Sequence, residues 1–166
     1  MPHDIHLVTG VTGAGKSTYS AQLAHDLRGV RFSIDEWMET LHNADKPDEL
    51  RFEWFYERVQ RNCLMMRRMA EQVVGVGRPC VFDCGFTNAQ ERAIFADWAD
   101  EMGYSTRLHW IATPVEVAWQ RVEHRNREKG ETFQFDVTRE MFDFILSIWE
   151  EPGDEEMARM NGLKVT

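Results

Sequence analysis

The sequence predicts an α/β fold built on a parallel sheet of about five strands flanked by helices. Three observations predict it. Apolar runs of strand length alternate with helical runs along the chain, the order a parallel sheet requires because each crossover needs a connecting segment. A glycine-rich loop joins the first such run to the first helix. At 166 residues the chain suffices for one well-buried core and is short for two ordinary domains, so residues 1–166 read as one domain.

The first strand is read at residues 5–9, followed by the glycine loop and a helix over about 16–27 that Gly29 ends. A second strand over 30–34 leads into "DEWMETLHNADKP", polar and punctuated by Pro47. From Asp48 to about Val74, Phe52, Phe55, Val59, Cys63, Met66, Ala70 and Val73 recur every three or four positions, which predicts one long amphipathic helix. Arg58, Arg61, Arg67 and Arg68 fall on its other face and read as solvated. Gly75 and Gly77 stop it before the strand "PCVFD". Asn88, with Glu91 three residues on, has the form of a capping box for the helix "AQERAIFADWADEM". Gly103 ends that helix and "YSTRLHWIA" makes a fourth strand. Pro114 suits the first turn of the next helix, which runs to about Arg127. After the polar "REKGETFQFD" comes a helix over 138–149, then an acidic tail in which "LKVT" reads as a last strand.

Hydrophobic residues make up 43% and charged residues 28%, the balance of a soluble globular chain, and no apolar run approaches the ~18 residues of a membrane span. The first residues carry no basic segment leading into an apolar one, so a cytoplasmic protein without membrane contact is expected. A net charge of −9 and a pI near 5.1 oppose loose, backbone-driven binding of nucleic acid. Cys63, Cys80 and Cys84 contain no C-x-x-C pair and read as reduced, mostly buried thiols; Cys80 and Cys84 share one strand face. The six histidines form no i, i+4 metal pair and read as incidental.

The loop after the first strand spells G-V-T-G-A-G-K-S, a G-x-x-x-x-G-K-[S/T] pattern in its strand–loop–helix context. Gly10, Gly13 and Gly15 let the chain turn and bring backbone N–H groups to phosphates, and the helix N-terminus behind them favours negative charge. The whole run of Gly10, Thr12, Gly13, Ala14, Gly15, Lys16, Ser17 and Thr18 is therefore the predicted nucleotide cradle. Lys16 is expected to reach the β and γ phosphates, and the Ser17 hydroxyl to ligate Mg²⁺. Asp83, ending its strand at the same sheet edge, is read as the acid that helps hold Mg²⁺; a strand-end turn residue is the other reading.

No N-K-x-D motif follows, which speaks against a GTPase, and the chain lacks the length of a large ATPase module. A small-molecule kinase needs two more parts. One is an acid beside the γ-phosphate to accept the proton of an attacking hydroxyl: Asp35, directly after the second strand, fits, with Glu36 as a second candidate and a helix cap as the alternative use of both. The other is a lid of arginines to stabilise the transferred charge. Arg121 and Arg125 share a helix face and Arg127 follows, so a lid is expected over about 121–137, a solvated basic face being the other reading.

With "GVTGAGKST", "SIDEW", "VFDCGFTNAQER" and "ATPVEVAWQRVEHRN" in order, the chain resembles the small P-loop kinases that include chloramphenicol phosphotransferase, zeta toxin and the kinase domain of polynucleotide kinase. The resemblance implies a P-loop NTPase fold of nucleoside-kinase-like form with ATP and Mg²⁺. It implies phosphate and metal roles for Lys16 and Ser17, Asp35 as acceptor base, and nucleotide and lid contacts for Arg121, Arg125 and Arg127. The group often has a proline before the second glycine of its loop; Thr12 stands there here. Arg92 falls where the group often has an arginine, and reads as a helix-surface or substrate-side residue. The segment after Asp35 is rich in carboxylates and aromatics, which suits a neutral or cationic hydroxylated small molecule better than a polyanion. The expected activity is transfer of the γ-phosphoryl group of ATP to that hydroxyl, by a monomer or homodimer. A nucleotide-sugar kinase, a polynucleotide 5′-hydroxyl kinase and an ATP-binding module of slow turnover are the rival readings.

Overall fold

The computed structural model describes residues 3–47, 51–129 and 136–166, without the side chain of Phe52. The expected helix start at Asp48 and the middle of the expected lid, residues 130–135, lie outside the described residues. Five strands, β1 (Ile5–Thr9), β2 (Val30–Ser33), β3 (Cys80–Asp83), β4 (Thr106–Ile111) and β5 (Leu163–Val165), form one sheet in the order β2-β3-β1-β4-β5. Every pairing is parallel, with Ile5 set against both Cys80 and Thr106. The connections are α1 (Lys16–Leu27), α2 (Ile34–His42), α3 (Phe52–Gly75), α4 (Ala89–Glu101), α5 (Val115–Glu128), α6 (Arg139–Ile148) and α7 (Asp154–Arg159). Among the described residues no helix is long and apolar enough to cross a membrane.

Alternation along β1 divides the core. Ile5 and Leu7 point into a cluster with Met66 and Ala70 of α3 and Phe95 and Ala99 of α4. Val8 points to the opposite cluster with Ala24 of α1, Ala118 and Val122 of α5 and Phe142 of α6. Phe82 is fully buried in the first cluster, stacked on Phe32 and edge-on to Phe95 with both ring centroids 5.1 Å away. Each such ring contributes roughly 1.5–3 kcal/mol by leaving water. On α3 the expected stripe holds for Cys63, Met66, Ala70, Val59 and Val73, whereas Phe55 is 42% exposed because Trp54 beside it takes the position packed on the core.

Local chemistry sets the boundaries. Arg28, not Gly29, takes the left-handed position that ends α1, donating its N–H to the Ala24 and His25 carbonyls. β2 stops at Ser33, one residue short of the expected strand end, and α2 begins at Ile34, because the Ser33 hydroxyl accepts from the Glu36 N–H. Asn88 caps α4 as expected, while the Glu91 carboxylate reaches back to the Thr87 N–H, not to that of Asn88. The short helix α7 was not foreseen in the acidic tail; three carboxylates in its first turn complement the helix dipole. Cys63, Cys80 and Cys84 are free thiols; Cys80 and Cys84 both face α3, near Ala70 and Met66, and burial pushes the Cys80 thiol up to about 12.

Two of the histidines, His6 and His109, are not incidental. His6 and His109, neighbours across β1 and β4, form a buried chain with Tyr19 of α1. His6 Nε2 lies 3.1 Å from the His3 carbonyl, which only accepts, so His6 carries its proton there and Nδ1 accepts. His109 Nε2–H then donates to His6 Nδ1 at 2.9 Å, and Tyr19 donates its hydroxyl proton to His109 Nδ1 at 2.8 Å. Every member is satisfied while neutral. Burial lowers His6 to about 4 and His109 to about 3, each further depressed by the other cations nearby.

Candidate active site

The carboxyl ends of β1, β2 and β3 converge on one edge of the sheet, where open parallel sheets place their ligand sites. The glycine loop leaves β1 there, Asp35 follows β2 in the first turn of α2, and Asp83 ends β3. Helix α5 packs directly on the loop. A Cβ on Gly13 would lie 2.3 Å from the Ala118 carbonyl oxygen, and the backbone there has φ of +80°, so only glycine fits. Gly15, with φ of +100°, is the N-cap of α1 and offers no side-chain partner, whereas α2, α4 and α6 are capped by Ser33, Asn88 and Thr138. The N–H groups at the start of α1 are thus presented to the cleft, the arrangement that receives a phosphate.

The charged groups fall into two sets. Lys16 donates to the Gly10 and Val11 carbonyls at 2.9 and 3.0 Å; burial lowers its pKa, Asp83 and Asp35 oppose the fall, and Arg125 adds to it. Arg121 donates to the Ala14 carbonyl at 3.0 Å, and Thr113, just after β4, donates to the same oxygen at 2.9 Å. Arg125, one turn on, faces Lys16 and Asp35, and its Nε–H is buried without a hydrogen-bond partner among the described residues. Arg127 is not brought to this cleft: it lies in a shallow groove beside Trp119, Asn126 and Arg139. Asn126 ties the end of α5 to Val137, donating to its carbonyl at 2.8 Å and accepting from its N–H at 3.2 Å.

Asp35 does not cap its helix, since Ser33 does. The residue is solvent-exposed at the start of α2, yet protein is packed densely around that position. This desolvation raises its pKa, with Asp83 adding to the rise and Lys16, Arg125 and Arg31 opposing it. Glu36 turns away to pair with Arg31 at 2.5 Å. Asp83, 5% exposed, accepts from Arg31 at 2.8 Å and from the Ser20 hydroxyl at 3.1 Å, both on Oδ2. Sequence reasoning missed Arg31 and Ser20. The available signal was an arginine inside a four-residue strand at the sheet edge, a charge that must find partners when half-buried.

Arg92 is not on the helix surface. It is fully buried, holding Glu156 through Nε and Nη2 at 2.8 and 3.0 Å and the Phe86 and Glu150 carbonyls through Nη1 at 3.1 and 2.9 Å. The surface reading failed because Glu150 and Glu156 come from the tail, 58 and 64 residues away. Thr9 also donates to the Phe86 carbonyl, at 2.9 Å, so the turn after Asp83 is fixed from two sides.

The family model described as AAA domain (AAA_33) matches residues 5–152. Among solved structures the chain is similar to Kti12 from Chaetomium thermophilum in complex with ADP-AlF3, at 16% identity and a TM-score of 0.73 over 97% of this chain and 88% of that one. It is similar to a gluconokinase from Sinorhizobium meliloti 1021, at 18% identity and a TM-score of 0.66 over 99% and 82% of the two chains. A sugar kinase from Janibacter sp. HTCC2649 gives 15% identity and a TM-score of 0.66 over 99% and 85%. No curated protein matches the sequence. At these identities the likeness shows the fold: a P-loop NTPase sheet of the kinase-like kind.

Proposed function

The chain belongs to the AAA domain family, and from that premise we propose that it is an ATP-dependent phosphotransferase, moving the γ-phosphoryl group to a hydroxyl of a small molecule. The observation that carries this reading is Asp35: an acid spared from capping, set in the same cleft as Lys16 and Arg125. Gly10, Thr12, Gly13, Ala14, Gly15 and Thr18 wrap the phosphates with backbone groups, and the start of α1 favours their charge. Lys16 neutralises the β and γ oxygens. Asp35 accepts the acceptor's proton as the hydroxyl attacks; a carboxylate whose pKa is raised is a stronger base than an exposed one. Arg121 and Arg125, fixed against the loop by α5, stabilise charge as it moves to the bridging oxygen. Arg127, in its own groove beside Trp119 and Arg139, takes no part in this step.

Ser17 and Asp83, a hydroxyl and a carboxylate, are the oxygen donors a hard cation prefers, and they would hold Mg²⁺. When bound, that ion supplies charge neutralisation to the β and γ phosphates. The helical segment that follows Asp35 carries Glu36, Glu39 and Asp45 with Trp37, an acidic and aromatic composition that supports a neutral or cationic hydroxylated compound over a nucleic acid. The expected setting is the cytoplasm, and the expected active form a monomer or homodimer.

The test is ADP release from ATP and Mg²⁺ across hydroxylated metabolites, antibiotics and short oligonucleotides. One class of small hydroxyl compound should stimulate release and appear phosphorylated by mass spectrometry. Asp35→Ala should spare ATP binding and cut transfer by about 10²–10⁴-fold. Full transfer in that variant would remove the base assignment, and release that no hydroxyl compound stimulates would leave hydrolysis as the activity.

A further inference from the structure

Arg31 joins three elements that the mechanism needs in register. It lies on β2, an edge strand, with Val81 as its partner across the ladder. All three guanidinium nitrogens are used. Nε donates to the Ser20 hydroxyl of α1 at 2.8 Å, Nη2 to Asp83 of β3 at 2.8 Å, and Nη1 to Glu36 of α2 at 2.5 Å. Ser20 in turn lies 3.0 Å from the Ser17 carbonyl and 3.1 Å from Asp83. The phosphate helix, the strand end and the acceptor-side helix therefore meet on one side chain.

We propose that Arg31 is a positioning residue for phosphoryl transfer: its planar fork fixes Asp83 and the start of α2 against the glycine-loop helix. This rests on the phosphotransferase reading. The three arms are unequal. Arg31 is 17% and Asp83 5% exposed, so their pair is shielded and firm; Glu36 is 57% exposed and its arm is the weak one. The fork also balances charge, since Asp35, Glu36 and Asp83 gather three carboxylates against Lys16, Arg125 and Arg31. A lysine at 31 would keep the charge and lose the geometry, because one ammonium on a flexible stem cannot span three fixed acceptors.

The experiment compares wild type with Arg31→Gln, Arg31→Lys, Glu36→Gln and Ser20→Ala. A fluorescent ATP analogue reports binding with and without Mg²⁺, and steady-state kinetics follow with the acceptor the screen identifies. Binding without Mg²⁺ should change by less than ~3-fold in either Arg31 variant, while the gain in affinity on adding Mg²⁺ is lost. The kcat should fall up to ~100-fold, the effect of misplacing reacting groups by about an ångström, with KM for the acceptor moving far less. Arg31→Lys should recover little of the loss; recovery to wild-type rates would show that charge alone matters and overturn the positioning role. Unchanged Mg²⁺ enhancement and kcat in Arg31→Gln would overturn it outright. If that variant does not fold, Ser20→Ala and Glu36→Gln decide: Ser20→Ala should weaken Mg²⁺ enhancement more than Glu36→Gln does, and wild-type behaviour in both overturns the proposal. Should wild type phosphorylate no hydroxyl, the phosphotransferase reading fails, and the binding arm still judges Arg31 alone.

Discussion

Arg92 and Arg31 each gather acceptors from distant parts of the chain, and they differ in what those acceptors are. Arg92 is fully buried and binds one carboxylate and two backbone carbonyls, with the Trp149 ring 5.9 Å away. Arg31 sits at the rim of the cleft and binds only side chains, two of them acids beside the predicted base. Backbone acceptors belong to the fold, so losing their donor leaves buried carbonyls unpaired. On the phosphotransferase proposal the cleft carboxylates belong to the chemistry, so losing their donor should move reactants. On that proposal the same guanidinium serves stability in one place and geometry in the other.

The largest stability effect should come from Arg92→Met. Breaking a buried ion pair from one side costs roughly 3–5 kcal/mol, so the melting temperature should fall by ~10 °C. Nucleotide affinity of the folded fraction should hold. Glu156→Gln should cost less, because Glu156 is 24% exposed and keeps an acceptor oxygen for the guanidinium. Thermal melts of these variants beside Arg31→Gln test the contrast: an equal loss in Arg31→Gln would erase the distinction between the two arginines.

The chain of Tyr19, His109 and His6 sharpens the contrast from the uncharged side. Its histidines titrate near 3 and 4 in the folded protein, below the ordinary 6.5 of the unfolded chain. Above pH 6.5 both states are neutral and the chain gives no pH dependence. As pH falls below that value only the unfolded state gains protons, so stability is lost until the folded values are reached. Each histidine should contribute a slope of about 1.4 kcal/mol per pH unit in that window. Urea midpoints between pH 7 and 4.5 measure it, and His109→Gln should be weaker at neutral pH yet flatter in slope. An unaltered slope in that variant would assign the acid sensitivity to carboxylates instead.

Much of this was legible in the sequence, and what was hidden was hidden for one physical reason. Periodicity, glycines and caps act over a few residues. They sufficed to locate every strand of the sheet to within a few residues, and they placed α1 and the Asn88 cap correctly. The gathering of the glycine loop, Asp35 and Asp83 at one edge followed from strand ends in a parallel sheet. Arg31, Arg92 and the histidine chain each depend on at least one partner 52 to 103 residues away, and a local pattern can at most flag such a residue, as the charge inside β2 flags Arg31, without naming that partner. Arg127 lies in a separate groove because adjacency to Arg125 in sequence is not adjacency on a helix; two residues apart, they point to opposite sides. Residues of α7 gave no apolar period long enough to read, at six residues.

The smallest effect isolates what belongs to Arg92 itself. Arg92 stands on α4, one residue after Glu91, whose N–H donates to the Asn88 side chain at 2.9 Å. Loss of Arg92 could loosen the first turn of α4 and be read as a clamp when only a helix end has frayed. Asn88→Ala removes that cap and nothing in the clamp, and should cost about 1 kcal/mol, with a fall in melting temperature of a few degrees. If the clamp is separate from the helix end, the double variant with Arg92→Met loses about the sum of the two single losses. If Asn88→Ala alone costs as much as Arg92→Met, and the double variant costs no more than either, the clamp is only the start of α4 seen from its other side.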